Sequence, residues 1–383
     1  MKRIISSLLA VLIVICGISV HAENTADTTK LETDAKACIL IEASTGEVLY
    51  EDNPDEQLPI ASVTKIMTML LIMEQIEAGT LNFDTMISVS ENAMSYGGST
   101  MFLEAGELLS VHDMLKGIAV ASANDGCVAM AEHIAGSESA FVDMMNERAS
   151  ELGMTNTHFM NTNGLDEDNH YSSARDVSIM SRELMKHEKI TEYTTIWTDS
   201  LRGGKFELAN TNKLIRFYTG ANGLKTGSTS KALCCLSAAA KRDDMQLIAV
   251  VLGAPTSAKR FESARSMLDY GFANYRINNL ASKGEEVSRE DIAKGNKDSF
   301  SAVIDEDMSE LIKKSEKAEC EKQIEIDRDI TAPIHVGDRV GTVRFMRGDT
   351  EIGSAAIVSS EDVEKEGIKA IMLKFVHMII GDS

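Results

Sequence analysis

Ser62-Val63-Thr64-Lys65-Ile66-Met67-Thr68-Met69-Leu70-Leu71-Ile72-Met73-Glu74-Gln75-Ile76-Glu77-Ala78-Gly79 has the pattern of one buried helix. Its apolar residues at 66, 67, 69, 70, 72, 73 and 76 cover most faces instead of one stripe, and Gly79 stands where a helix stops. A helix apolar on most faces belongs in the centre of a domain, with other elements packed around it. The flanking sequence supplies them. Upstream, 37–41 and 47–50 are short strand-like runs around the turn Ala43-Ser44-Thr45-Gly46, a predicted hairpin. Downstream, helical periodicity covers 111–121, 125–135, 140–152 (closed by Gly153) and 174–187, where Ser173 with Asp176 three residues on forms a cap. The period then changes. Residues 233–240 and 245–253 are apolar runs of strand length joined by Arg242-Asp243-Asp244, and 258–272 reads as a closing helix. Strands at both ends and helices between predict an α+β fold, an antiparallel sheet with a helical layer.

Past Ile277 the sequence becomes charged and alternating. Val336-Gly337-Asp338 and Arg347-Gly348-Asp349 punctuate strand-like segments at 339–345 and 351–358, which predicts a second, small all-β domain. The last segment, 368–380, is apolar apart from Lys369, Lys374 and His377, which fall on one side of a helical projection. That pattern fits an amphipathic helix lying in a membrane surface; a terminal helix docked on the β domain is the alternative. At the other end, Met1-Lys2-Arg3, an apolar run over 4–20 and Val20-His21-Ala22 predict a secretory signal peptide; a retained transmembrane anchor is the weaker alternative, because the uncharged stretch barely reaches the length of a span and a cleavage site follows it. Cys16 follows Ile15, where a lipoprotein signal wants a small residue, so lipidation is not expected. The expected organisation is a signal peptide at 1–22, a main domain at 23–277, a β domain at 278–365 and a membrane-associating tail at 366–383.

Composition narrows the function classes. With 44% hydrophobic and 25% charged residues the chain is globular. Its formal charge of -21 opposes a phosphate backbone and excludes nucleic acid as an expected partner. Aromatics are only 5%, with a single tryptophan, Trp197, against 21 methionines, so the core packs mainly with flexible aliphatic side chains. Beyond the leader, Cys38, Cys127, Cys234, Cys235 and Cys320 are odd in number and lack C-x-x-C spacing. Neither a zinc site nor a disulfide framework is indicated, and free thiols are expected. Adjacent Cys234 and Cys235 in a strand face opposite sides.

No H-E-x-x-H, G-x-S-x-G, G-x-x-x-x-G-K-[ST] or G-x-G-x-x-G pattern occurs, so zincins, ordinary lipases and nucleotide-binding enzymes drop out and no cofactor or metal is expected. Three other elements remain. In Ser62-Val63-Thr64-Lys65 the i and i+3 positions share a helix face, so the Lys65 amine can approach the Ser62 hydroxyl. Burial disfavours the charged lysine, and the neutral amine can take the serine proton. Ser122-Ala123-Asn124 lies between two predicted helices, where a hydroxyl can relay a proton and an amide can hold both the base and a substrate carbonyl. Lys225-Thr226-Gly227 is predicted to open a strand, where glycine admits a substrate backbone and Lys and Thr offer donors to a carboxylate. Each alone is weak. S-x-x-K recurs at Ser228-Thr229-Ser230-Lys231 and S-x-N at Ser90-Glu91-Asn92, and the bland readings are a helix cap, a second cap and an edge strand. In this order and at this spacing, the three form the signature of the penicillin-recognising serine enzymes.

The chain resembles the serine-type D-Ala-D-Ala carboxypeptidases, the low-molecular-weight penicillin-binding proteins. The resemblance covers about 37–272 and includes Leu58-Pro59-Ile60-Ala61-Ser62, Ser122-Ala123-Asn124-Asp125, Gly164-Leu165-Asp166, His170-Tyr171-Ser172-Ser173-Ala174-Arg175-Asp176 and Gly223-Leu224-Lys225-Thr226-Gly227. It implies a β-lactamase/transpeptidase-like domain, a small β domain and an amphipathic tail. It also implies roles: Ser62 attacks the terminal D-Ala-D-Ala carbonyl, with Lys65 as base. Ser122 and Lys225 assist proton movement and Asn124 positions the substrate. Backbone N–H groups of Ser62 and Ser228 form the oxyanion hole, and Thr226 and Arg260 bind the terminal carboxylate. The implied partners are peptidoglycan stem peptides and β-lactams, at the outer face of the cytoplasmic membrane. Asn222 departs from the family's usual Asp, outside the three motifs. A class A β-lactamase shares the motifs but needs an E-x-x-x-N element; Glu167 is followed four places on by Tyr171. A penicillin-binding scaffold or sensor that acylates without turnover is the non-enzymatic alternative.

Overall fold

The structure is a computed structural model and describes residues 31–367 and Met372. The expected signal peptide, with Cys16, and the tail beyond Gly367 apart from Met372 lie outside the described residues.

β1 (Ala37–Glu42) and β2 (Val48–Asp52) form the predicted hairpin, and every residue of β1 is buried. That burial follows from topology. β1 is flanked by β2 and by β9 (Met245–Ala254), in a five-stranded antiparallel sheet of order β2-β1-β9-β8-β7, with β8 at Leu233–Arg242 and β7 at Ala221–Thr229. The first hairpin thus closes on the last strand of the domain. β7 pairs with β8 and forms one edge of this sheet, with β2 at the other.

Between the two strand groups lie the helices. A 3-10 turn (Ala61–Thr64) leads into α1 (Lys65–Glu77), and all residues from Lys65 to Met73 are buried. The sequence pattern predicted a helix starting at Ser62; Ala61, at φ 48°, tightens the entry, so Ser62 sits on the turn ahead of the α-helix. A small pair, β3 (Met86–Ser88) and β4 (Leu108–Ser110), encloses α2 (Glu91–Ser95). α3 (Val111–Lys116) runs into a π-helical turn (Gly117–Ala121) and then α4 (Asn124–Ala135) and α5 (Glu138–Glu151). α6 (Ala174–Lys186), α7 (Thr191–Thr194), the hairpin β5 (Thr198–Leu201)–β6 (Phe206–Ala209) and α8 (Leu214–Phe217) lead to β7. α9 (Ser257–Asn274) packs against β8 and β9. Ser90, Ser110, Ser137, Ser173 and Thr256 each accept the backbone N–H three residues on, capping α2, α3, α5, α6 and α9. Each such cap stabilises its helix by about 1 kcal/mol.

β10 (Tyr275–Ala281) follows α9 directly and pairs with β13 (Met308–Lys313). The remaining strands are β11 (Glu286–Asp291), β12 (Ser299–Ile304), β14 (Glu321–Ile326), β15 (Arg339–Arg347) and β16 (Thr350–Ser359). They form an antiparallel sheet of order β11-β12-β16-β15-β14, over a core that includes Phe300, Val343, Phe345 and Ile357. Lys314 clasps the end of α9, its N–H donating to Asn274 O at 2.7 Å and its Nζ to Phe272 O at 2.7 Å. The cysteines at 38, 127, 234, 235 and 320 are free, with Cys235 buried and Cys234 half-buried. Among the described residues no helix is long and apolar enough to cross a membrane.

Candidate active site

Lys65 is fully buried, and its Nζ has three oxygen acceptors: Ser62 Oγ at 2.9 Å, Asn124 Oδ1 at 2.7 Å and the Asn163 carbonyl at 2.6 Å. Burial pushes its pKa down to about 8, against the raising influence of Cys127 and Asp125. An ammonium has three hydrogens, and three acceptors account for them. In the neutral amine, Asn124 and Asn163 retain two hydrogens and the lone pair turns to Ser62 Oγ, the arrangement of a general base beside a nucleophile.

Two loops set these acceptors. Asn124 begins α4, and its side chain is fixed from the other end by donating from Nδ2 to Gly97 O at 2.7 Å, while its N–H donates to Ser99 O at 2.7 Å. The next residue, Asp125, accepts the N–H groups of Met101 (3.2 Å) and Leu103 (3.1 Å), so segment 97–103 is pinned to the start of α4. The second loop carries Asn163. Asn161 Oδ1 accepts Gly164 N–H at 2.7 Å, Thr68 Oγ1 donates to Thr162 O at 2.6 Å, and Asp166 accepts Thr229 Oγ1 at 2.6 Å. The loop is therefore tied to α1 at one end and to the end of β7 at the other. Gly164, at φ 85°, lies where a Cβ would come within 1.9 Å of Ala61 O, so only glycine fits.

Lys225, Thr226 and Gly227 lie in the middle of β7, not at its opening, because β8 is long enough to pair with the strand from Ala221 onward. Gly227 closes the gap to the turn that carries Ser62: a Cβ there would come within 2.7 Å of Ile60 O and 2.9 Å of Ser62 N. Lys225 is buried, donates to Thr226 O at 3.0 Å and has its pKa held well down, first by burial and then by the positive charge of Lys65. Thr226 Oγ1 lies 2.6 Å from Thr211 Oγ1. Ser228 is exposed beside the Cys234 thiol, 3.8 Å away. Arg260 Nη1 donates to Gly227 O at 2.9 Å and Cys235 O at 3.3 Å, and Nη2 to Ser257 Oγ at 3.3 Å, so its guanidinium holds the backbone of β7 and β8.

The structure thus brings Lys65 into hydrogen-bond contact with both Ser62 and Asn124 and lays Gly227 against Ser62. Ser122, buried at φ 65° where the π-helical turn ends, has no side-chain hydrogen bond among the described residues. Asn222 sits at the far end of β7, its amide donating to Gln246 at 2.7 Å, away from the three motifs. The sequence reading missed Asn163, whose contribution is a carbonyl with no side-chain signature. It also missed Thr211, which no motif marks. Among the described residues no group of three or more His, Cys, Asp or Glu is arranged to hold a metal ion.

Comparison with known proteins follows the same division of the chain. The family model of the S11 peptidases, D-alanyl-D-alanine carboxypeptidase, matches residues 22–256, and that of the penicillin-binding protein 5 C-terminal domain matches 275–365. The chain is 42% identical to D-alanyl-D-alanine carboxypeptidase DacF of Bacillus subtilis, over 100% of this chain and 99% of that one. Penicillin-binding protein 5 of Haemophilus influenzae superimposes with a TM-score of 0.72 at 31% identity, covering 87% of this chain and 98% of the other. Penicillin-binding protein D2 of Listeria monocytogenes, in an ampicillin-bound form, matches with a TM-score of 0.56 at 31% identity, over 63% of this chain and 99% of that chain.

Proposed function

The chain belongs to the S11 family of D-alanyl-D-alanine carboxypeptidases, and from that premise we propose that Ser62 is the nucleophile that releases the terminal D-Ala of peptidoglycan stem peptides. The enzyme is a serine-type carboxypeptidase, and family membership sets aside the β-lactamase and non-turnover readings. Lys65 takes the Ser62 proton as Oγ attacks the D-Ala-D-Ala carbonyl. The tetrahedral oxyanion is held by the N–H groups of Ser62 and Ser228, the preorganised contribution that usually dominates acyl transfer. Ser122 and Lys225 pass a proton to the departing D-Ala amine, and Asn124 orients both Lys65 and the substrate. Thr226 receives the terminal carboxylate; Arg260, expected to bind it as well, has its guanidinium engaged with Gly227 O and Cys235 O and contributes through its charge and its hold on that backbone. Water then cleaves the acyl-enzyme ester. A β-lactam follows the same first step and leaves Ser62 acylated. The basic and apolar amino terminus supports export, and the pattern of 368–380 supports peripheral attachment to the outer face of the cytoplasmic membrane.

The observation that carries this reading is the buried Lys65 amine, 2.9 Å from Ser62 Oγ with its other two positions occupied by fixed oxygens. Incubation with a diacyl-D-Ala-D-Ala peptide should release free D-Ala, and Ser62→Ala should abolish release. No release by the wild type, or undiminished release by the variant, removes the assignment.

A further inference from the structure

His170 is buried beneath the nucleophile turn, with Phe159 edge-on at 5.9 Å, and the carboxypeptidase chemistry above makes no use of it. Its hydrogen bonds fix its tautomer. Met160 N–H donates to Nδ1 at 3.1 Å, and a backbone amide can only donate, so Nδ1 carries no hydrogen and the neutral ring holds its proton on Nε2. Nε2 lies 2.8 Å from Thr64 Oγ1 and therefore donates to it. The Thr64 hydroxyl hydrogen goes to Ala61 O at 2.8 Å. Three bonds thus run in one direction, from Met160 N–H through the imidazole and the Thr64 hydroxyl to the Ala61 carbonyl. Burial lowers the His170 pKa to about 4, which keeps the ring neutral near pH 7.

The end of this chain is the peptide unit between Ala61 and Ser62. That bond is not among the cis peptides, so its C=O and N–H point in opposite directions. The surroundings agree: Gly164 presses on the Ala61 O side and Gly227 on the Ser62 N side. Anchoring the carbonyl therefore aims the Ser62 N–H at β7. A hydrogen bond accepted by the carbonyl also polarises the unit and strengthens its N–H as a donor.

We infer that His170 is a positioning residue of the oxyanion hole, orienting and polarising the Ser62 N–H through Thr64 and the Ala61 carbonyl. This rests on the reading of Ser62 N–H as an oxyanion donor. Removing an oxyanion donor outright costs about 10²–10³-fold in rate; removing its support should cost about 10- to 100-fold. The test uses the full chain with Thr64→Val, His170→Phe, His170→Gln and the Thr64→Val/His170→Phe pair. The readouts are the acylation rate of Ser62 by a penicillin and the infrared carbonyl stretch of the acyl-enzyme ester. Thr64→Val and His170→Phe should each slow acylation by that factor and move the ester band to higher wavenumber. The double variant should lose no more than either single one, and His170→Gln, which can both accept from Met160 and donate to Thr64, should recover to within about threefold. A folded Thr64→Val enzyme that acylates at the wild-type rate overturns the relay, as does slowed acylation with an unmoved ester band, the mark of a general structural effect. If His170→Phe does not fold, Thr64→Val and His170→Gln decide by the same criteria. The relay is judged on penicillin acylation, whereas the carboxypeptidase reading is judged on D-Ala release by the wild type, so either can fail alone.

Discussion

Lys65 is a potential cation enclosed by uncharged oxygens, and that placement sets how the enzyme responds to pH. Burial lowers the amine to about 8, so most of it is protonated at neutral pH and the base form grows as pH rises. The acylation rate should climb through about pH 8 and level off above it, measured with a penicillin whose own hydrolysis is subtracted. A profile flat from pH 6 to 9 would contradict the role of the neutral amine. Lys65→Arg keeps the charge but cannot deprotonate at these pH values, and should lose roughly the 10²–10⁴-fold that general-base catalysis contributes. At this scale the site was legible wherever chemistry depends on a side chain at fixed spacing. Lys65 is hydrogen-bonded both to Ser62, three residues before it, and to Asn124 of the second motif, two contacts that the motifs predict. The third acceptor of Lys65 was not legible, because any residue supplies a carbonyl and only the fold selects that of Asn163.

The elements around the site are held at distances that only particular backbones allow. Gly164 and Gly79 make a controlled comparison: both have positive φ, at 85° and 74°, but a Cβ on Gly164 would strike Ala61 O, whereas one on Gly79 would meet nothing within 4 Å. Gly79→Ala should therefore cost only the left-handed strain, about 1–2 kcal/mol, and leave acylation unchanged. Gly164→Ala adds a backbone clash on the Ser62 turn, so penicillin acylation should fall at least tenfold, the loss of about 1.4 kcal/mol of transition-state stabilisation or more. Equal effects in thermal melts and acylation assays would show that the close approach has no functional weight. The regular elements were foreseeable from local chemistry: Ser173 caps α6 as its spacing with Asp176 predicts, and the turn at 242–244 joins β8 to β9. The irregular ones were not. The 3-10 turn before α1 and the π-helical turn before Ser122 arise from long-range packing, and the three- and four-residue strands β3 to β6 are too short for alternation to register.

Across the whole molecule, charge and packing separate what binds a surface from what does the chemistry. The net charge of -21 sets the chain against an anionic membrane, so the proposed peripheral attachment would rest on the apolar residues of 368–380 together with Lys369 and Lys374. Deleting 368–383 should abolish co-flotation with lipid vesicles while D-Ala release is kept; continued flotation would place the lipid contact elsewhere. The β domain raises the corresponding question about folding. Its core is a separate cluster from the one around α1, and Phe345 lies fully buried within it. Phe345→Ala should remove about 3–5 kcal/mol from that cluster, enough to unfold it well below the wild-type transition. Lys314 also clasps the last carbonyls of α9, but α9 is packed along β8 and β9, and a few exposed carbonyls at its end can turn to water. Loss of the β domain should thus fray the end of α9 and stop there. Calorimetry of Phe345→Ala should resolve an early transition absent from the wild type, with penicillin acylation unchanged at temperatures between the two transitions. A single transition that carries acylation away with it would show that the two cores fold as one unit.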